Sequence, residues 1–373
     1  MEGVFKMRKL WYCVLMVLLM IFAAITVVGA DVSEDVKALQ DAVGYNWQPA
    51  ELDKWNIDTL DYKKDPPYTI ALSTNHMGVT WMEIYKAEME AELAMYGDDI
   101  AEFIHVDAGG DIPTQIANIQ DLISRRVDAI IIDPASPTAI APVVERAYNA
   151  GIVTIVNKSG INTTNYTAFQ NNDEVQFGRS GAEWLVEQIG GEGIVLALRG
   201  IPGYGVDIER WTGGQSVFEK YPDIRVYAEY AEWSYDKAKE VSKALITAHP
   251  DFVGVWSQGG QMSRAMVDAM LEAGLNPADY PHASEDDNGF CKQVLEYGIP
   301  ACATGKPVWL SRLAVRSALD ALRGMYIEKH VMVPSPFYGP DDFEKIVNPN
   351  LSDLSWLTTT LPDEVINEMF AGR

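Results

Sequence analysis

The chain is poor in cysteine, histidine and basic side chains, and each shortage closes off a class of function. Its three cysteines and five histidines stand singly, with no Cys-x-x-Cys pair, so the pattern supports no metal site and no cofactor held through one. Lys and Arg number 29 against 53 Asp and Glu, a formal net charge of −24. Such a surface repels nucleic acid and anionic lipid, and no basic stripe with interleaved aromatics offsets it. After Ala30 no apolar run approaches membrane-spanning length, and no low-complexity tract appears. Catalytic signatures are also missing. The glycine-rich stretch from Gly200 to Gly205 lacks both the Gly-x-Gly-x-x-Gly spacing and a following Gly-Lys-Ser/Thr. There is no Gly-x-Ser-x-Gly elbow and no Cys–His pairing. Glu285 and Asp286 are adjacent, and neighbours at a strand end point in different directions, so they make a poor glycosidase pair. The reading is of a protein that is not an enzyme.

What is present begins with the first thirty residues. Lys6, Arg8 and Lys9 precede an apolar run from Leu10 to Val28, and Val28-Gly29-Ala30 supplies small residues before an acidic start at Asp31. This is the pattern of a secretory signal peptide over 1–30; an uncleaved anchor is the alternative, and either places the rest of the chain outside the cytoplasm, periplasmic or extracellular. Cys13 follows Trp11 and Tyr12, not the small residues of a lipid-modification site. Residues 31–66 read as an acidic extension with Trp47, Trp55 and Pro66-Pro67, lying on the surface with at most one short helix.

A regular alternation then starts. Short apolar strands are expected over 68–73, 103–106, 129–132, 152–156, 194–198, 224–230 and 252–256, with helices between them, among them 80–96, 174–189, 207–220, 235–248 and 261–273. Strands this short and this continuously apolar are buried on both faces, as parallel sheets covered by helices require. The class is α/β with parallel sheets, and the length favours two such sheets. Cys291 falls on an expected helix and Cys302 on the strand after it. In an oxidising compartment they either bridge that corner or remain two free buried thiols.

In open α/β sheets ligands bind beyond the carboxyl ends of the strands. The residues there are Asn75, Asp133, Asn157 and Lys158 in the first half, and Trp233, Gln258, Asp286 (with Glu285 before it) and Lys306 in the second. Singly, each has a plain structural reading as a turn former, helix cap, core aromatic or solvated charge. Together at one edge, amides, carboxylates, lysines and an indole suit a polyhydroxylated ligand: the polar groups bond neighbouring hydroxyls and the aromatic face packs the C–H side of a sugar ring.

Several motifs resemble the ribose-type periplasmic binding proteins. They are DIPTQIANIQDL from Asp111 to Leu122, VDAIIIDP from Val127 to Pro134, AGIVTIVN from Ala150 to Asn157, and GRSGAEWL from Gly178 to Leu185. GIPG from Gly200, HPDFVGVWSQ from His249 to Gln258 and EDDNGF from Glu285 to Phe290 complete the series. The resemblance runs from about Tyr68 to about Gly324. It implies two Rossmann-like lobes joined by a three-strand hinge, the type I periplasmic binding protein fold: 67–171 with 306–332 as the first lobe, 172–305 with 333–373 as the second. It implies a monomer that captures a sugar, or a polyol or other sugar-like solute, in the cleft, closes on it and delivers it to the membrane subunits of an ABC permease. Presentation of the ligand to a chemoreceptor or sensor kinase, or binding of a nucleoside, are the alternatives. On this resemblance Trp81 would stack on the ring, and Asn172 and Arg210 would join the residues above in binding it. This chain departs from the family pattern at Asn157-Lys158, at Gly259-Gly260 and at Met82.

Overall fold

The computed structural model describes residues 56–373. The expected signal sequence with Cys13, and the part of the acidic extension that carries Trp47 and Trp55, lie outside the described residues.

The described chain forms two α/β lobes, each around a six-stranded sheet. The first contains β2 (Tyr68–Thr74), β3 (Ile100–Asp107), β4 (Ala129–Ile132), β5 (Val153–Asn157), β6 (Ala168–Asn172) and, late in the chain, β13 (His330–Val333). Helices α1 (Thr80–Ala94), α2 (Ile112–Arg125), α3 (Ala141–Asn149) and α9 (Leu310–Leu322) cover it. The second contains β7 (Gly193–Arg199), β8 (Ile224–Tyr230), β9 (Phe252–Ser257), β10 (His282–Glu285), β11 (Ala301–Thr304) and β14 (Phe337–Tyr338). Its helices are α4 (Glu174–Ile189), α5 (Gly205–Phe218), α6 (Tyr235–Ala248), α7 (Gly260–Glu272) and α8 (Asn288–Tyr297). Every pairing in the two sheets is parallel except that of β14 with β11. The last elements are α10 (Phe343–Ile346) and α11 (Asp363–Met369). Of the extension, residues 56–66 are described: β1 (Asn56–Ile57) pairs with β12 (Ile327–Glu328), and a single 3-10 turn follows at Leu60–Tyr62.

The alternation of apolar side chains builds both faces of each sheet. In the first lobe Ile70, Leu72 and Ile131 face α1 and α9, while Ala71, Ile130 and Ile132 face α2 and α3. In the second, Leu196 and Leu198 face α6 and α7, while Val195 and Ala197 face α4 and α5. Strand interiors such as β4 and β5 are buried at every position, which explains why the sequence shows runs and not alternation. Helices α5 and α7 start one or two residues earlier than periodicity suggests, at Gly205 and Gly260. The second glycine is required by contact: a Cβ at Gly260 would lie 2.1 Å from Cβ of Asp287.

The two cysteines, expected either to bridge or to stay free, are both buried and free. Strand geometry is the reason. Cys302 points with Ala182 and Trp256 to one face of the second sheet, whereas Ala301, Ala303 and the helix bearing Cys291 lie on the other.

The chain passes between lobes after β6, after β11 and after β13, the expected three crossings. A fourth follows. Residues 333–373, expected wholly in the second lobe, are divided: Phe343 packs in the second lobe, but Leu351, Trp356, Leu361, Ile366 and Phe370 belong to the first-lobe core around α1. The second, third and fourth crossings converge at Gly305, whose added Cβ would lie 2.7 Å from Pro336, 3.0 Å from Thr358 and 3.0 Å from Asp286.

Candidate ligand-binding site

Both sheets run in the order that reverses beside their first strand: β3-β2-β4 in one lobe, β8-β7-β9 in the other. Such switch points leave a crevice at the carboxyl ends of the strands. Here the two crevices face each other. The Tyr204 hydroxyl, just before α5, donates to Oδ1 of Asp133, just after β4, at 2.6 Å. Beside this contact lies a cavity whose wall both lobes supply.

The first lobe supplies His76, Trp81, Met82 and Lys158 to its wall, and the second supplies Tyr204, Arg210, Trp233, Gln261 and Glu285. Lys306 comes from the second crossing and Trp356 from the fourth. Trp81 stacks on Tyr85 with ring centroids 5.2 Å apart, and its indole N–H donates to the Lys306 carbonyl at 3.2 Å. Trp233 stands edge-on to Tyr204, and its indole N–H donates to the Gln258 carbonyl at 3.0 Å. That indole needs glycine on both sides: a Cβ at Gly200 would lie 2.0 Å from its ring and one at Gly259 2.5 Å. The departure from the family pattern at Gly259 thus makes room for Trp233. Lys158 and Trp233 both hold left-handed backbone, φ 73° and 50°. For side-chain-bearing residues this costs on the order of 1–3 kcal/mol, and such positions cluster at functional sites.

The charges are paired. Lys158 Nζ lies 2.9 Å from Asp133 Oδ2 and 5.1 Å from the Tyr204 ring centre. Along the wall a buried chain runs Lys306–Glu174–Arg210–Glu285, of which only Glu174 lies behind the cavity, with Arg210 Nε 2.7 Å from Glu174 and Nη2 2.8 Å from Glu285. Burial opposes every charge in it, and the partners decide how far. Burial alone would raise Glu174, but Arg210 and Lys306 outweigh it and hold its carboxyl below the ordinary range. Glu285, with Arg210 on one side and the repelling Glu174 nearby, is left raised by burial. Burial brings Lys306 down to about 8 in spite of Glu174. His76 is brought down to about 4 by burial and by Lys158, so it is neutral at pH 7. Three cations therefore face three carboxylates around the cavity.

The structure brings together Trp81, Lys158, Arg210, Trp233 and Lys306 of the residues expected at the site. Asp133 sits at its edge, through Lys158 and Tyr204. The others lie behind the wall. Asn75 is buried and gives its backbone N–H to Asp133 at 3.4 Å. The Asn157 amide accepts from Tyr85 at 2.5 Å and faces Gln170 at 3.3 Å within the first lobe. Asn172 donates to Ser335 at 2.9 Å and ties the first crossing to the third. The Gln258 amide accepts from Gly200 N–H at 3.0 Å and donates to the Asp207 carbonyl at 3.1 Å, which fixes the loop before Tyr204. Asp286 points away from the cavity toward Gly305, because Glu285 beside it takes the inward direction. Sequence reasoning missed Tyr204, His76, Gln261, Trp356 and the buried Glu174. Of these, Tyr204 carried a signal, lying in the loop between β7 and α5 at the switch point of the second sheet.

A family model described as periplasmic binding protein domain matches residues 70–325. The ribose import binding protein of Bacillus subtilis (strain 168) is 24% identical over 267 residues, 72% of this chain and 86% of that protein. The xylitol-binding protein of Mycolicibacterium smegmatis (strain ATCC 700084 / mc(2)155) is 31% identical over 175 residues, 46% of this chain and 50% of that protein. An ABC transporter solute binding protein from Bacillus halodurans C-125, solved with bound myo-inositol, superposes with a TM-score of 0.70 at 22% identity, covering 76% of this chain and 98% of that one. With that fold, and with the family model matching most of the chain, this protein belongs to the periplasmic binding protein domain family.

Proposed function

We propose that the protein is an extracytoplasmic solute-binding protein that captures a neutral sugar or polyol between its lobes and delivers it, as a monomer, to an ABC permease. The observation that carries this reading is the wall itself. Indoles from both lobes and from the fourth crossing face a cavity rimmed by ammonium, guanidinium, carboxylate and amide groups. Aromatic faces pack the C–H side of a ring or polyol chain, and the polar groups bond its hydroxyls. Because Lys158, Lys306 and Arg210 already face Asp133, Glu174 and Glu285, the site has no uncompensated charge for an acidic sugar to neutralise. The relatives named for ribose import and xylitol binding point to the same solute class. Several hydrogen bonds of about 1 kcal/mol each, with stacking, suffice for micromolar affinity near −8 kcal/mol. Export through the 1–30 signal sequence would place this capture outside the cytoplasm.

The test is a thermal-shift screen of the exported chain against pentoses, hexoses, polyols, inositols, uronic acids and nucleosides, since any ligand that binds only the native state raises Tm. A shift with a neutral sugar or polyol is expected. A flat response to all carbohydrates, with a shift from a nucleoside, would replace the solute class.

A further inference from the structure

The fourth crossing lies beyond residue 325, where the match to the family model ends. From the second lobe, the Asn288 amide of α8 donates to the carbonyls of Asn348, Leu351 and Ser352 at 3.1–3.3 Å. Gly289 N–H donates to the Asp353 carbonyl at 3.1 Å, and Trp356 forms an antiparallel bridge with Asp287. One residue on, the attachment is still shared: the Leu357 side chain packs in the second lobe while that of Trp356 packs in the first. The segment then commits to the first lobe. Glu88 of α1, itself fully buried, accepts from the Thr359 hydroxyl at 2.9 Å, the Thr360 hydroxyl at 2.7 Å and the Thr360 N–H at 2.5 Å. Leu361, Ile366 and Phe370 anchor the end in the core around α1.

We infer that residues 348–370 are a strap that ties the two lobes together in the absence of ligand and supplies Trp356 as a ligand-contacting wall of the cleft. Trp356 is positioned from both sides, by its backbone bridge to Asp287 and by its indole N–H donating to the Thr80 hydroxyl at 3.1 Å. It lines the cavity while only 1% exposed. A segment held to both lobes limits how far they separate, and a ring held on that segment changes position relative to either lobe if the cleft opens. The strap thereby couples ligand contact to lobe closure. The ligand part of this inference rests on the proposed function, and the strap part does not.

The experiment has two arms. For the ligand-free protein, spin labels are placed on the exposed positions Asp121 and Lys220, one on each lobe, and the interlobe distance distribution is measured with the strap intact and in Thr359→Val/Thr360→Val, which keeps side-chain shape and removes two donors to Glu88. A narrow distribution that broadens toward longer distances in the double variant is expected; identical distributions overturn the strap. In the second arm, xylitol and D-ribose are titrated calorimetrically into the wild type, Trp356→Phe and Trp356→Leu. A tenfold or greater loss of affinity in Trp356→Leu, partly restored in Trp356→Phe, is expected in titrations run well below each variant's Tm, which itself falls because Trp356 is also part of the first-lobe core. Wild-type affinity in Trp356→Leu overturns its role in the wall. If the wild type binds neither probe, the titrations use the neutral sugar or polyol that raises Tm in the screen; a wild type that binds none of them overturns the proposed solute class instead, and the distance arm then decides the strap alone.

Discussion

The Tyr204 hydroxyl and Asp133 Oδ1, 2.6 Å apart, belong to different lobes and meet at the edge of the cavity. The other oxygen of the same carboxylate faces Lys158 Nζ at 2.9 Å and the Asn75 N–H at 3.4 Å. Burial and the negative charge of Asp133 push the Tyr204 phenol well above its ordinary range, so it remains a proton donor at any working pH. One hydrogen bond therefore joins the switch points of two sheets, and it reads the distance between the lobes directly.

Tyr204→Phe removes that bond and leaves the ring packing intact. Hydrogen bonds to charged groups contribute about 1.5–3 kcal/mol, and all of it is lost to the closed arrangement. Affinity for the cognate solute should fall roughly tenfold or more, and the interlobe distance of the free variant should lengthen. Calorimetric titration beside scattering measures both. Unchanged affinity would mean that the lobes close without this contact.

Arg210 is the hub of the buried charges. Replacing it with Met leaves Glu174 and Glu285 buried without their shared partner, a loss of about 3–5 kcal/mol. Urea unfolding should show this, and Arg210→Lys should recover only part of it, because an ammonium cannot match the forked geometry that reaches both carboxylates. Adding Glu174→Gln and Glu285→Gln to Arg210→Met should restore most of the stability. A stability within about 1 kcal/mol of wild type in Arg210→Met alone would show that the carboxylates do not need it.

His282 lies at the start of β10, fully buried against Phe290 at 4.9 Å, and neither ring nitrogen has a hydrogen-bond partner. Burial brings its pKa down to about 3 from an ordinary value near 6.5. Between these values the unfolded chain takes up a proton that the folded chain refuses, so acidification favours unfolding through this residue; above about pH 7 the effect vanishes. His282→Leu should therefore gain on wild type by about 1.4 kcal/mol for each pH unit below 6.5. Urea unfolding at pH 8, 6 and 4.5 tests this, and parallel losses in both proteins would refute it. The buried acids with raised pKa values, such as Asp287 at about 6, act in the opposite sense but cancel in the difference.

Cys291 and Cys302 should both titrate with a thiol reagent in guanidinium and neither in native buffer. Burial raises both thiols well above their ordinary range and excludes the reagent. Thiols absent even after unfolding would reveal a bridge and require the strand carrying Cys302 to turn its other face to the helix.

The architecture was legible because it rests on local pattern. Runs such as AIII at Ala129–Ile132 have only one comfortable environment, between two helix layers. The order of such runs fixes parallel pairing and hence which strand ends carry the site. That rule singled out Lys158, Trp233 and Lys306, and the resemblance Trp81 and Arg210, all of which line the cavity. The rule could not separate inward from backward. Asn157 and Lys158 are consecutive, as are Glu285 and Asp286, and one of each pair serves the lobe while the other serves the cleft. A one-residue phase at a strand end decides this, and backbone conformation sets it: Lys158 at φ 73° turns its side chain where an ordinary strand residue would not.

By itself, the sequence determined two parallel sheets, the edge at which their strands end, the polar and aromatic character of that edge, and the strong net negative charge of the chain. Each follows from periodicity, burial or net charge, which are additive along the chain. Only the tertiary structure decided that Tyr204 meets Asp133, that four buried charges form one chain, that the cysteines face apart, and that residues 348–370 return to α1 with Trp356 in the cleft. These depend on groups far apart in sequence approaching within a few ångströms. No local preference encodes such approaches; they arise when two independently specified lobes are packed against each other and the chain end must cover the apolar face that remains.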